Sequence, residues 1–120
     1  MSPKPAPARS SQNQTVAATP QASLVGSLAT FFPDATPLRL SVHLETATGA
    51  TERTVIEFGT AHEVMFASSL PLEFGDKISI KNLDGSLLAK ADVVAVQFHA
   101  GAAAVAARFS QRLSNWIVKS

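Results

Sequence analysis

At 120 residues, 46% of them hydrophobic, the chain holds material for the core of one small domain and no second one. A formal net charge of +1 gives no general attraction for nucleic acid or anionic membranes. The absence of cysteine removes disulfides, thiolate catalysis and cysteine-based zinc frameworks.

From Met1 to Ala22 the composition is Pro, Ala, Ser, Gln and Thr without apolar periodicity. Such a stretch cannot bury enough surface to offset its ordering entropy, so residues 1–22 read as a disordered tail. They lack the apolar run of a secretory signal, and no segment approaches the about 20 apolar residues that cross a bilayer. A cytoplasmic protein without a membrane span is the expectation. Thr19 can cap a helix that starts at Pro20. Leu24, Val25, Leu28, Phe31 and Phe32 then fall on one helical face until Pro33 ends the pattern. Residues 23–36 therefore read as an amphipathic strap, helical or extended, with Leu24, Leu28, Phe31 and Phe32 as candidate partner-binding residues. If that strap serves only a partner, removing Met1 to Pro33 leaves the rest folded.

At Pro37 the period changes to two, and residues 37–120 read as one β domain. Leu38, Leu40, Val42 and Leu44 alternate with Arg39, Ser41, His43 and Glu45 in a first strand. After a turn at Gly49, Glu52 to Phe58 gives a second, with Thr54, Ile56 and Phe58 on one face. Glu63 to Ala67 is a short third strand. A tight turn at Gly75-Asp76 leads into a fourth, where Lys77, Ser79 and Lys81 alternate with Ile78 and Ile80. Asp84-Gly85 marks a hairpin. The strand after it, Leu87 to Phe98, is apolar on both faces near Val93 to Val96, which suits a central strand. Gly101 breaks it, and Ala104 to Phe109 forms a sixth. Six short strands without crossover helices predict an all-β fold, an antiparallel barrel or sandwich.

Chemistry-bearing clusters are absent from this pattern. His43, His62 and His99 have no metal-ligand spacing, so no metal or cofactor is expected. No nucleophile elbow, zinc-protease motif or phosphate-cradling loop occurs, and an enzyme is not expected. Glu45, Glu52, Glu57 and Glu63 read as solubilising charges around the first hairpin. Lys77 and Lys81, with Lys90 on the next strand, read as the guard of an exposed sheet edge rather than a nucleic-acid groove.

Thr54 to Phe66, followed by Leu70-Pro71-Leu72-Glu73-Phe74-Gly75-Asp76-Lys77-Ile78, resembles a PilZ domain. Ala91 to Val96 and Val105 to Phe109 are similar to that family's last two strands. The resemblance spans Leu38 to Trp116 and implies a six-stranded antiparallel barrel that binds cyclic di-GMP. In the family, an R-x-x-x-R segment before the first strand grips guanine and phosphate, and a D/N-x-S-x-x-G loop supplies further hydrogen bonds. Here the first segment keeps only Arg39, and the loop reads Glu57-Phe58-Gly59-Thr60-Ala61-His62. The resemblance therefore implies Arg39, Glu57, Gly59, Thr60 and His62 as ligand-binding candidates on an eroded site. The expected function is a non-catalytic PilZ-like signalling or adaptor domain acting on an unidentified protein partner, with weak or no cyclic di-GMP binding. A nucleotide receptor with altered contacts and an unrelated RNA-binding barrel are the alternatives.

Overall fold

The computed structural model describes residues 24–113 and 116–118. The expected tail, and Thr19 and Pro20 as helix start, lie outside the described residues. One short helix, α1 (Leu24–Ala29), precedes six strands: β1 (Thr36–Thr46), β2 (Thr51–Gly59), β3 (Glu63–Ser68), β4 (Lys77–Asn82), β5 (Leu88–His99) and β6 (Ala102–Phe109). They close into an antiparallel barrel in the order β1-β2-β3-β6-β5-β4. Closure leaves no edge, so β4 pairs with both β1 and β5. The edge-guard reading of Lys77 and Lys81 is therefore wrong, because that strand has no free backbone to protect.

The alternation written into the strands fills the barrel. Val42, Leu44, Ile56, Phe66, Ile78, Ile80 and Val93 point inward and are fully or almost fully buried. A second cluster lies outside the barrel wall. Val25, Leu28 and Ala29 of α1 cover Met65, Ala104 and Ala106, with Leu24, Phe32, Phe58, Val94 and Ala95 around them. Alanine on the outward phase of β6 has no side chain beyond Cβ, which lets the helix approach the sheet closely. This explains why the later strands are apolar on both faces: one face lines the barrel and the other lies under α1.

Bulges decide which face some residues take. Ile56 pairs with Phe66, but Phe58 pairs with Met65, so Glu57 is an extra residue in β2. The slip turns Phe58 outward into the helix cluster, correcting the expectation that Thr54, Ile56 and Phe58 share a face. Val94 does the same in β5, where Val93 faces Ala107 and Ala95 faces Ala106. The β5–β6 hairpin turns through Ala100 and Gly101, with φ of 48° and 88°. Two consecutive positive φ values define the hairpin turn that matches strand twist.

The helix stops at Ala29, short of Pro33, so Phe31 and Phe32 lie beyond it rather than on the helical face expected for them. The last turn tightens, with Phe31 N–H donating to Leu28 O at 3.1 Å and Phe32 N–H to Ala29 O at 3.0 Å. No helix among the described residues is long and apolar enough to cross a membrane.

Candidate functional site

The turn between β2 and β3 is built on Thr60. Its hydroxyl oxygen accepts the Glu63 N–H at 2.9 Å and the His62 N–H at 3.1 Å, and its hydroxyl proton goes to Glu63 Oε1. Glu63, only 8% exposed, receives two further bonds from the Arg108 guanidinium at 2.7 and 2.9 Å. A buried carboxylate needs such partners, since removing them would strand a charge away from water. Trp116 closes the turn from above: its indole N–H donates to Thr60 O at 2.7 Å, and its ring meets Phe109 edge-to-face at 5.1 Å.

This network corrects the reading of the carboxylates as a solvated set. Glu63 is a buried brace, and Glu52 is half-buried at one end of the barrel. Burial alone would raise the Glu52 pKa, but bonds from the Ser68 and Ser69 hydroxyls and the Ser69 N–H outweigh it and hold it below the usual value. Thr60-x-x-Glu63 has the spacing of a capping box, which could have flagged the turn. Arg108 carries no such signal, because 45 residues separate it from Glu63.

Of the five ligand-binding candidates, Gly59 and Thr60 are spent inside the fold. A β-carbon on Gly59 would lie 2.8 Å from Leu38 Cδ1 and 3.1 Å from Trp116 Cζ2. The position is glycine because side chains pack directly on its backbone. The Leu38 methyl can swing away, but the indole is held by its hydrogen bond and by Phe109. Gly59→Ala is therefore expected to destabilise the domain by about 1–3 kcal/mol, measured as a lowered thermal midpoint. No change in midpoint would mean that Trp116 is not held where it is drawn.

Arg39 and Glu57 form a second group. Both lie where β1 and β2 slip register, Arg39 exposed and Glu57 half-buried. Burial raises the Glu57 pKa, and the Arg39 positive charge offsets part of the rise. The Arg39 charge is thus near enough to act on Glu57, although the two form no ion pair. His62 is exposed at the turn.

The segment before β1 and the β2–β3 turn converge on one groove of about 640 Å³. Phe31, Phe32, Pro33 and Asp34 line one side, Thr60 to Glu63 the other, and Val118 closes it. Thr60, His62, Phe31 and Phe32 are thus brought together, whereas Arg39, Glu57 and Gly59 do not line it. Among the described residues the lining contains neither Lys nor Arg. Leu28, 3% exposed, and Leu24 pack on the barrel, so Leu28 is not available to a partner; Phe31 is 69% exposed. The histidines sit on three different elements, and no group of three metal-ligating side chains occurs among the described residues.

Compared with known protein families, the chain matches none, and it matches none of the curated proteins. Among solved structures it is similar to the Bacillus subtilis inhibitor of motility, MotI/DgrA, at 13% identity and a TM-score of 0.48. The match covers 67% of this chain and 42% of that one, so the chain spans less than half of that protein's length.

Proposed function

We propose that this chain is a non-catalytic PilZ-like adaptor domain whose strap-side groove receives a protein partner, with weak or no cyclic di-GMP binding. The observation that carries this reading is the groove's chemistry. Its apolar rim offers Phe31 to a partner, and among the described residues its lining has neither Lys nor Arg, with Asp34 acidic and Glu63 already paired with Arg108. A cyclic dinucleotide brings two phosphates, and charge-assisted phosphate contacts contribute about 1.5–3 kcal/mol each. Losing two such contacts weakens binding by about two to four powers of ten. Arg39 does not line the groove and Arg108 is held by Glu63, so neither is a spare cation there.

One feature favours a second reading, a nucleotide receptor with altered contacts. The segment before β1 and the β2–β3 turn, the two places the PilZ resemblance assigns to the ligand, do meet at one groove. Isothermal titration with cyclic di-GMP separates the two. The expected result is no saturable heat at two temperatures, at concentrations where a micromolar site would fill. Micromolar or tighter binding that Arg39→Ala weakens would replace the adaptor reading with the receptor.

A further inference from the structure

The lysines of β4 remain to be accounted for once the barrel is closed. Lys77 is neutralised by Asp92 on β5, with Nζ to Oδ1 at 2.7 Å. Lys81 is different. Register places Arg53 of β2 opposite His43 of β1, His43 opposite Lys81, and Lys81 opposite Leu88 of β5. Residues directly opposite share a face, so the four form one outward row across the barrel wall. Lys90 stands one step along, opposite Ser79. Strands lie about 4.8 Å apart, so Arg53, His43 and Lys81 fit within roughly 10 Å. Among the described residues, Arg53, Lys81 and Lys90 make no ion pair.

Like charges gathered on one face of a sheet repel one another, and a carboxylate set opposite one of them would have relieved that cost. The one carboxylate in this patch, Glu45, sits opposite Ser79 and Thr51 rather than opposite a cation. Beside the basic row are two large apolar side chains that the core does not use: Leu88 is 68% exposed and Leu83 55% exposed. Lys81, Lys90, Leu83 and Leu88 border a shallow groove of about 450 Å³ with His43 and Glu45. It shares no lining residue with the groove at Phe31 and His62.

From this juxtaposition we infer that the outer face of β1, β4 and β5 is a second docking surface, for an acidic protein segment carrying apolar side chains. Its carboxylates would meet Arg53, Lys81 and Lys90, and its apolar side chains would cover Leu83 and Leu88. A bilayer fits less well. Asp84, at the hairpin tip between the two leucines, is fully exposed, and its carboxylate accepts the Ser86 N–H at 2.8 Å. Inserting the leucines in lipid would carry that charge with them, whereas a peptide leaves it in water. Nucleic acid fits less well too, because no Phe, Tyr or Trp among the described residues lines this groove.

The test uses the full chain and a fluorescein-labelled peptide of alternating glutamate and leucine, followed by fluorescence anisotropy. Saturable binding is expected, weakened at least about tenfold by K81E/K90E and severalfold by Leu88→Ala, and falling as salt rises. Ser27→Glu, on the exposed side of α1, which packs on β2, β3 and β6 rather than on this face, should change it by less than about twofold. Unchanged thermal midpoints certify that the variants fold. Absence of saturable binding, or equal weakening by S27E, overturns the inference. Binding to phosphatidylserine vesicles or to polyuridine without binding to the peptide overturns it in favour of those surfaces.

Discussion

Trp116→Ala is expected to lower the thermal midpoint by about 15–30 °C. The indole is 2% exposed, and it is the piece that holds the chain's last described segment against the β2–β3 turn. Removing it opens a cavity beside Phe109 and Leu38, which for buried aromatic residues costs about 3–5 kcal/mol. It also strands the Thr60 carbonyl, whose partner is the indole N–H at 2.7 Å. Against a total stability of about 5–15 kcal/mol, that leaves a marginal domain. Trp116→Phe separates the two contributions, because it keeps an aromatic ring near Phe109 but removes the donor. Its loss should be about 1–3 kcal/mol, the cost of a buried acceptor left unpaired. Thermal denaturation followed by circular dichroism measures both. A fall of under about 5 °C for the alanine variant would show that the segment after β6 is not part of the fold.

The expected size of that effect bears on what could be read from the sequence. Each strand was legible because its inward residues repeat with period two, from Leu38-Leu40-Val42-Leu44 to Ile78-Ile80. The hairpin at Asp84-Gly85 and the break at Gly101 followed from backbone chemistry that only a few residues tolerate. What period two cannot carry is a change of phase. Glu57 and Val94 each insert one residue, and nothing in their side chains announces a bulge. Phe58 was misassigned for that reason alone. Period two is equally silent on closure, since whether β1 and β4 pair depends on strand tilt and stagger summed over the whole sheet, and only the family resemblance implied the barrel that the structure has. Once they do pair, Lys81 ceases to be an edge guard and becomes part of a row with His43 and Arg53.

The position of the β2–β3 turn was legible in the sequence, and the roles of its residues were not. Glu57 to His62 could be picked out from its resemblance to a ligand loop, and the turn does border a groove with Phe31 and Phe32. The roles of its residues depend on partners far away in the chain. Thr60 and Gly59 were candidates because they occupy loop positions, yet Trp116 lies on both, 56 residues beyond Thr60. Glu63 was dismissed as one more surface acid because its cation, Arg108, comes from β6.

Leu28→Asp is expected to undock α1 and expose the wall beneath it. Leu28 is 3% exposed among Val25, Met65, Ala104 and Ala106, with no polar group in that cluster to receive a carboxylate. Truncating a buried leucine already costs about 2–5 kcal/mol, and an unpaired charge there adds to it, so the helix should leave rather than bury the acid. The midpoint should fall by at least about 10 °C, and the bared strip of Met65, Ala104, Ala106 and Phe58 should bind a hydrophobic dye. Ser27→Asp, one residue away and exposed, should shift stability by less than about 0.5 kcal/mol. Equal stability of the two variants would mean that α1 is not docked in solution. The docked helix also bears on the expectation that the barrel stays folded once Met1 to Pro33 is removed. That deletion strips α1 from the barrel wall, so a lost interaction would report damage to the fold as readily as loss of a partner contact. Phe31→Ser is the cleaner probe: the side chain is 69% exposed, so the variant should keep the wild-type midpoint while losing the partner.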